Sequence, residues 1–343
     1  MAVTIDSLNA LVQDNYIPVW INNIFDSNVF TPRALGKAQK ESTTKLIHIP
    51  IQYKKNTANG SIGRLGIMNL DVPEVGTAAT WNPITLYQTL SLAWEDFIEY
   101  NSELAVKNGV SAFMKNAEES FKEMVSAKMF QLNAAQSSTD FDGLDTLISD
   151  AVDCGNLSYS TNSWWNSQRL TSSDFGSTAI STEAVLVDPS SAGFIEKILR
   201  KLYSLTLYGG SAPTVFVTSK YLFDLLDQVV SDSVNRPISV KKSGSAVERM
   251  GSMGFDAMQF RNIPIIADDE LYASQASDTA GRIYAIDEET LKFYVNSAGN
   301  MAYTPFKEPV DQNAMTAKIL WRGANTVSQR RKQGVVTGLA SQY

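Results

Sequence analysis

Two extended runs flank a stretch that can build neither a core nor a stable helix, and this arrangement limits the chain more than any other feature. From Thr43 to Tyr53, Leu46, His48 and Pro50 alternate with Ile47, Ile49 and Ile51, the period of two that marks a strand. Lys54 to Gly66 follows, polar and carrying glycines at 60, 63 and 66. A second extended run, about Thr85 to Tyr100, carries Leu86, Leu90, Leu92, Trp94, Phe97 and Ile98. Compact domains seldom keep about thirty residues without structure unless the loop has a task. The spacing therefore predicts a long projecting hairpin.

The forty residues before it lack sustained periodicity and are interrupted by Pro18 and Pro32. Trp20, Ile21, Ile24, Phe25, Val29 and Phe30 are too apolar for a solvated tail. This segment reads as an arm that lies either on its own body or on a neighbouring subunit.

After the hairpin, Asn101 to Asn133 gives the clearest helical pattern. Val106, Val110, Phe113, Ala117, Phe121, Met124 and Leu132 recur at spacings of three, four or their multiples, with Lys115, Glu118, Glu119, Lys122 and Glu123 opposite. At 1.5 Å per residue such a helix is roughly 50 Å long, with Asn108-Gly109 able to break its first turns. A polar, turn-rich region containing Trp164-Trp165 runs on to Ser191. Ala192 to Leu207 then reads as an amphipathic helix, Pro213 to Thr218 as a buried strand, and Ser219 to Val230 as a helix with Ser219 at its N-cap. Ile263 to Ala267, Arg282 to Ile286, Leu291 to Val295 and Asn313 to Val327 are further strands. Helices and strands fall in separate blocks, so the class is α+β.

Composition narrows the function. With 343 residues, 44% of them hydrophobic, the chain buries a substantial core. One cysteine, Cys154, and one histidine, His48, allow no internal disulfide and no Cys/His zinc site. The net charge of −7 disfavours a protein whose main task is gripping nucleic acid, although it does not prevent one from enclosing it. No apolar run approaches the roughly 20 residues that cross a bilayer, and the first residues lack signal-peptide character. The expectation is a soluble protein made in a reducing cytoplasm, with no membrane partner.

Motifs for chemistry are sparse. Gly36-Lys37-Ala38 lacks the hydroxyl residue of a phosphate loop, and no G-x-G-x-x-G opens a helix. Asp140, Asp142, Asp145, Asp150 and Asp153 lack calcium-loop spacing and read as caps and turns. Cys154 and His48 fall in different blocks, and no spacing singles out a catalytic carboxylate pair among the 36 acidic residues. Trp164-Trp165 reads as a core or interface anchor. Lys318, Arg322, Arg330, Arg331 and Lys332, with no acidic residue after Asp311, read as a solvated basic face. The chain is thus expected to be no enzyme and to hold no metal or cofactor.

Several local phrases point further: Phe141-Asp142-Gly143-Leu144, Ser163-Trp164-Trp165-Asn166, Pro213-Thr214-Val215-Phe216-Val217-Thr218 before a helix, and Gly254 to Asp268 with its Arg261-Asn262-Ile263-Pro264-Ile265. Ile283 to Asp287, Leu291-Lys292-Phe293, Thr304-Pro305-Phe306, Lys318 to Trp321 and Arg330 to Val335 continue the series. In these phrases and in the order of its elements, the chain resembles over nearly its whole length the major capsid proteins of tailed bacteriophages, which share the Hong Kong 97-type fold.

The resemblance implies an N-terminal arm over 1–40, an extended E-loop hairpin over 41–100, and a P-domain made of the spine helix 101–135 and strands 288–333. It implies an A-domain over 136–287, to which the C-terminal tail 334–343 returns. Trp20, Phe25 and Phe30 of the arm and Lys54, Lys55 and Arg64 of the loop are then the expected contacts between subunits. The implied function is self-assembly into pentamers and hexamers of an icosahedral phage head, a virion component enclosing double-stranded DNA without sequence-specific binding. A separate scaffolding protein, a portal and a decoration protein are the implied partners. The rival readings are an encapsulin-like shell and a soluble carboxylate-dependent hydrolase.

Overall fold

A computed structural model describes residues 29–41, 45–57, 59–64, 66–68, 74–93, 114, 117, 119–121, 123–176, 180–232, 258–268, 270–271, 281–308 and 313–341. In chain order the described strands are β1 (Gln39–Glu41), β2 (Ile47–Gln52), β3 (Gly76–Trp81), β4 (Ile84–Ala93), β5 (Gln168–Leu170), β6 (Val215–Thr218) and β7 (Met258–Phe260). They continue with β8 (Ile263–Ala267), β9 (Gly281–Ile286), β10 (Leu291–Asn296), β11 (Ala302–Lys307), β12 (Ala314–Val327) and β13 (Gly334–Leu339). Helices α1 (Phe30–Gly36), α2 (Ile195–Thr206) and α3 (Lys220–Asp232) lie against these strands.

One sheet is organised by β12, whose 14 residues alternate buried and outward positions along their first half. Its first ten residues pair antiparallel with β4, from Ala314 opposite Ala93 to Gly323 opposite Ile84. β11 and β10 share its other edge, and β1 closes the sheet in parallel with β10. The second sheet has the order β5-β13-β9-β6-β8-β7. Its central β6, Val215-Phe216-Val217-Thr218, is buried at every position, as a strand covered on both faces must be. The last strand, β13, lies between β5 and β9 in this sheet.

Helical residues between the sheets carry the spine. Met114, Ala117, Phe121, Val125 and Met129 form a buried stripe at intervals of three and four. This stripe is shifted from the expected one, for Met124 is only half-buried while Val125 and Met129 face the core. Residues 101–113 of that expected helix lie outside the described residues. Phe121, Val125 and Met129 join Phe130, Phe141, Phe293 and Trp321 in a core that reaches both sheets, where Phe141 meets the Phe293 and Trp321 rings edge-on at 5.9 Å, while Met114 and Ala117 pack with Leu90, Leu92, Phe306 and Met315 in a separate cluster. A second core packs α2 and α3 against the six-stranded sheet. Ser219 stands at the start of α3, but its hydroxyl is buried and makes no hydrogen bond among the described residues, so it is not the side-chain cap expected of it.

Three expectations need correction. The strand that closes the hairpin on β2 is β3, in register from Ile47 opposite Trp81 to Gln52 opposite Gly76. The run from Thr85 belongs instead to the five-stranded sheet, where the long β12 offers ten partners and β2 offers six residues. Phe30, expected to meet a neighbour, is fully buried in the chain's own core with its ring 6.1 Å from that of Phe130. The C-terminal basic stretch is only in part a solvated face: Lys318 and Arg331 are exposed, with Arg331 lying over Tyr208 at 4.5 Å, Arg322 and Lys332 are half-buried, and Arg330 is wholly buried.

Candidate assembly surface

The β2–β3 ladder ends where Tyr53 and Lys54 donate backbone N–H groups to the Val75 carbonyl, at 3.1 and 3.4 Å. Beyond that point every described loop residue from 54 to 68 is exposed. Lys54, Lys55 and Arg64 are among them, with no acidic residue anywhere between 54 and 68. Ile67 is 96% exposed and Met68 67% exposed, an arrangement that costs solvation unless another surface covers them. The six-residue ladder is paired throughout, whereas a side chain added at Gly60 or Gly63 would meet nothing, and the loop's own turn is closed by the Gly66 N–H on the Gly63 carbonyl at 3.0 Å, so the loop is presented and not packed on the body.

The base of the hairpin is fastened to the segment around Cys154. Trp81 is buried, and the Thr80 N–H donates to the Gly155 carbonyl at 2.9 Å. Asn156 Nδ2 donates to Thr80 Oγ1 at 2.7 Å. Gly155 adopts φ +62, and a Cβ there would come within 2.8 Å of the Trp81 ring, so both backbone and space call for glycine. Trp164 stacks on Tyr53 with centroids 4.8 Å apart, while Trp165 is buried and donates its indole N–H to the Cys154 carbonyl. The tryptophan pair therefore anchors the loop's root.

The aspartates between 140 and 153 serve mainly as ion-pair and backbone partners. Asp140 pairs with Lys128, Asp145 with Arg282, and Asp150 with Arg169 at 3.3 Å, while Asp153 accepts from the Tyr159 N–H. Among the described residues no group of His, Cys, Asp and Glu is placed to hold a metal ion. Arg330 explains how this loop keeps its shape. Its guanidinium donates to the carbonyls of Leu147, Thr146, Ser149 and Val152 at 2.9, 3.1, 2.6 and 3.3 Å. Burial depresses the Arg330 pKa, with the acidic groups near it opposing that effect.

Nucleophilic chemistry finds no support here. Burial pushes the Cys154 thiol up to about 12, far from the thiolate that attack requires. His48 lies exposed on β2, opposite Thr80. A cleft of about 720 Å³ opens beside Cys154, between the end of β3, the 133–158 segment and the Ala324-Asn325 stretch of β12. Burial also raises the pKa of Asp142 in its wall, against the influence of Trp81, Arg330 and Gln136.

Of the sequence-derived contacts, Lys54, Lys55 and Arg64 stand together on the exposed loop, and Phe30 is internal. Trp20 and Phe25 lie outside the described residues. Two features escaped the sequence reading: the apolar loop residues Ile67 and Met68, whose only sign is their hydrophobicity in a glycine-rich stretch, and the buried role of Arg330.

These elements form an α+β fold that matches structures of the Hong Kong 97 type. The chain is similar to the Cyanophage A-1(L) capsid asymmetric unit, with 12% identity and a TM-score of 0.57, over 91% of this chain and 93% of that one. It is similar to a structure from Mycobacterium phage Bobi, with 10% identity and a TM-score of 0.56, over 98% of this chain and 99% of that one. The holo-SrpI encapsulin complex from Synechococcus elongatus PCC 7942 is similar at 9% identity and a TM-score of 0.51, over 92% and 90% of the two chains. No protein-family model and no curated protein matches the sequence.

Proposed function

We propose that this chain is the major capsid protein of a tailed-phage head, a structural subunit and not an enzyme, which assembles with its own copies into pentamers and hexamers of a closed shell around double-stranded DNA. The observation that carries the reading is the likeness to phage structures along nearly the whole of both chains, 98% of this chain against 99% of the Bobi chain. The exposed loop supports it. Ile67 and Met68, on the loop that carries Lys54, Lys55 and Arg64, are costly in a monomer and useful where a neighbour covers them.

In this reading the arm is the segment before Val29, and the E-loop is the β2–β3 hairpin with its loop. The P-domain consists of the spine helix and the five-stranded sheet, β4 included. The six-stranded sheet with α2 and α3 forms the A-domain, to which β13 returns. A separate scaffolding protein, a portal and a decoration protein are the further partners, and the virion is the site of action. No described helix is long and apolar enough to cross a membrane.

The encapsulin match supports a second reading, a cellular shell loaded with protein. Electron microscopy and size-exclusion chromatography of the purified protein, with scaffold present, test both. Closed shells with nuclease-protected DNA are the expected result in producing cells. Shells filled with protein cargo favour the encapsulin reading, and a strictly monomeric protein overturns both.

A further inference from the structure

The cleft beside Cys154 holds polar groups that the fold does not satisfy. Asn325 is wholly buried in its wall, and neither its Oδ1 nor its Nδ2 makes a hydrogen bond among the described residues. Burying an amide in this way is unfavourable unless something completes it. The same wall carries Asp140, Asp142 and Asp153. Asp140 is paired with Lys128, and Asp153 is exposed with a backbone N–H on its carboxylate. Arg330, the cation nearest Asp142, directs its guanidinium to four loop carbonyls. The cleft is thus acidic, open, and short of both a donor and an acceptor.

One segment of this chain has the complementary chemistry. Residues 54–68 carry Lys54, Lys55 and Arg64 with no acid, and Gly60 is exposed with open space beside it, although the Gly63 carbonyl already accepts from the Gly66 N–H at 3.0 Å. An arginine fork can donate to a carboxylate and an amide oxygen together, and a glycine carbonyl can accept from an amide N–H. A chain's own loop is badly placed for this. Thr80, Trp81 and Asn82 at the hairpin base form one wall of the cleft, and the six-residue ladder carries the loop away from that base.

We propose that the cleft lined by Asp142 and Asn325 is the seat for the Arg64 loop of a second copy of this chain, with the Arg64 guanidinium between Asp142 and Asn325 Oδ1. The proposal rests on the shell reading and names the surface that the loop meets.

Two measurements on the full-length protein test it. Ser61→Cys combined with Asn82→Cys places thiols at exposed positions of the loop and of the cleft rim, while native Cys154 is buried and unreactive. Treating shells with a short bismaleimide is expected to give a ladder of covalently joined subunits that neither single variant gives. Separately, Arg64→Glu, on an exposed loop, is expected to lower the yield of shells about tenfold or more while the subunit's circular dichroism is unchanged. Shells that form but give no ladder, or an Arg64→Glu protein that assembles like the wild type, overturn this proposal and leave the shell reading standing. Failure of the wild-type protein to form any multimer overturns both.

Discussion

Arg33 and Glu288, 255 residues apart, form a forked ion pair that ties α1 to the turn between β9 and β10. Arg33 Nε and Nη2 donate to the two Glu288 oxygens at 2.5 and 2.9 Å, and Lys37 Nζ adds a third bond at 2.8 Å. Thr214 Oγ1 donates to the same carboxylate, whose side chain is only 3% exposed. The pair fixes α1 against the turn that follows β9.

Arg33→Ala should therefore loosen the segment before β1 and leave Glu288 with weaker compensation. A loss of roughly 1–3 kcal/mol is expected in urea unfolding, below the cost for a fully buried pair because Arg33 is 29% exposed. Lys37→Ala should cost less, since that side chain is 55% exposed. Equal losses for the two variants would show that the fork is not the principal contact.

Glu288 also gives a pH dependence. Burial works to raise its pKa, but the hydrogen bonds and charges of Arg33 and Lys37 outweigh it and hold the carboxyl below its ordinary value of 4.5. A depressed folded-state pKa contributes stability that is fully present above the unfolded value and is lost as pH falls through the folded one. The stability gap between wild type and Glu288→Gln should thus be constant from pH 7 to about 5 and narrow on further acidification. A gap that widens on acidification would contradict the ion pair's role.

Arg330 shows both what sequence can reveal here and where it stops. β2 and β10 alternate in sequence because one face is buried, and β6 and β8 are short apolar runs, so all four were legible locally. β3 was not: Gly76-Thr77-Ala78-Ala79-Thr80-Trp81 has few large apolar residues, and it is held by pairing with β2 and by the contact at Gly155. The partner of β4 was equally hidden, because its register is set by a strand more than 200 residues later. A buried arginine reads like a solvated one when its acceptors are carbonyls of a loop about 180 residues away. The exposed loop carrying Lys54, Lys55 and Arg64 was legible because glycine and polar residues cannot bury themselves. The cleft was not, since its walls come from three distant segments.

Replacing Arg330 by Met should destabilise the subunit by at least about 3 kcal/mol, because four buried carbonyl contacts lose their donor. Arg330→Lys should recover only part of this, for an ammonium cannot reproduce the fork. Chemical unfolding of the two variants checks the order. A near-neutral Met variant would mean that the 146–152 loop holds its shape without the guanidinium.

Gly155→Ala probes the hairpin's seat. The left-handed backbone and the approach to Trp81 together predict a loss of roughly 2–4 kcal/mol. Trp81→Phe in the same chain should relieve the clash with the indole but not the backbone strain, recovering part of the loss relative to the sum of the single changes. Thermal unfolding of the four proteins of this cycle measures the coupling. Strict additivity would place the strain in the backbone and at the Ala79 Cβ, 2.9 Å from the added methyl, and not at the indole.

Deleting Lys55 to Arg64 separates folding from assembly. Every described residue in that span is exposed, and the paired strands β2 and β3 lie outside it. Shortening an exposed loop changes closure entropy only weakly, so subunit stability should move by less than about 1 kcal/mol. Assembly should fall sharply, because the deletion removes two of the loop's three cations together with Gly60 and Gly63. Urea unfolding and electron microscopy on the same preparation read the two effects independently. A large loss of subunit stability would place the loop in the chain's own fold, whereas normal shells from a stable subunit would remove it from the contacts between copies.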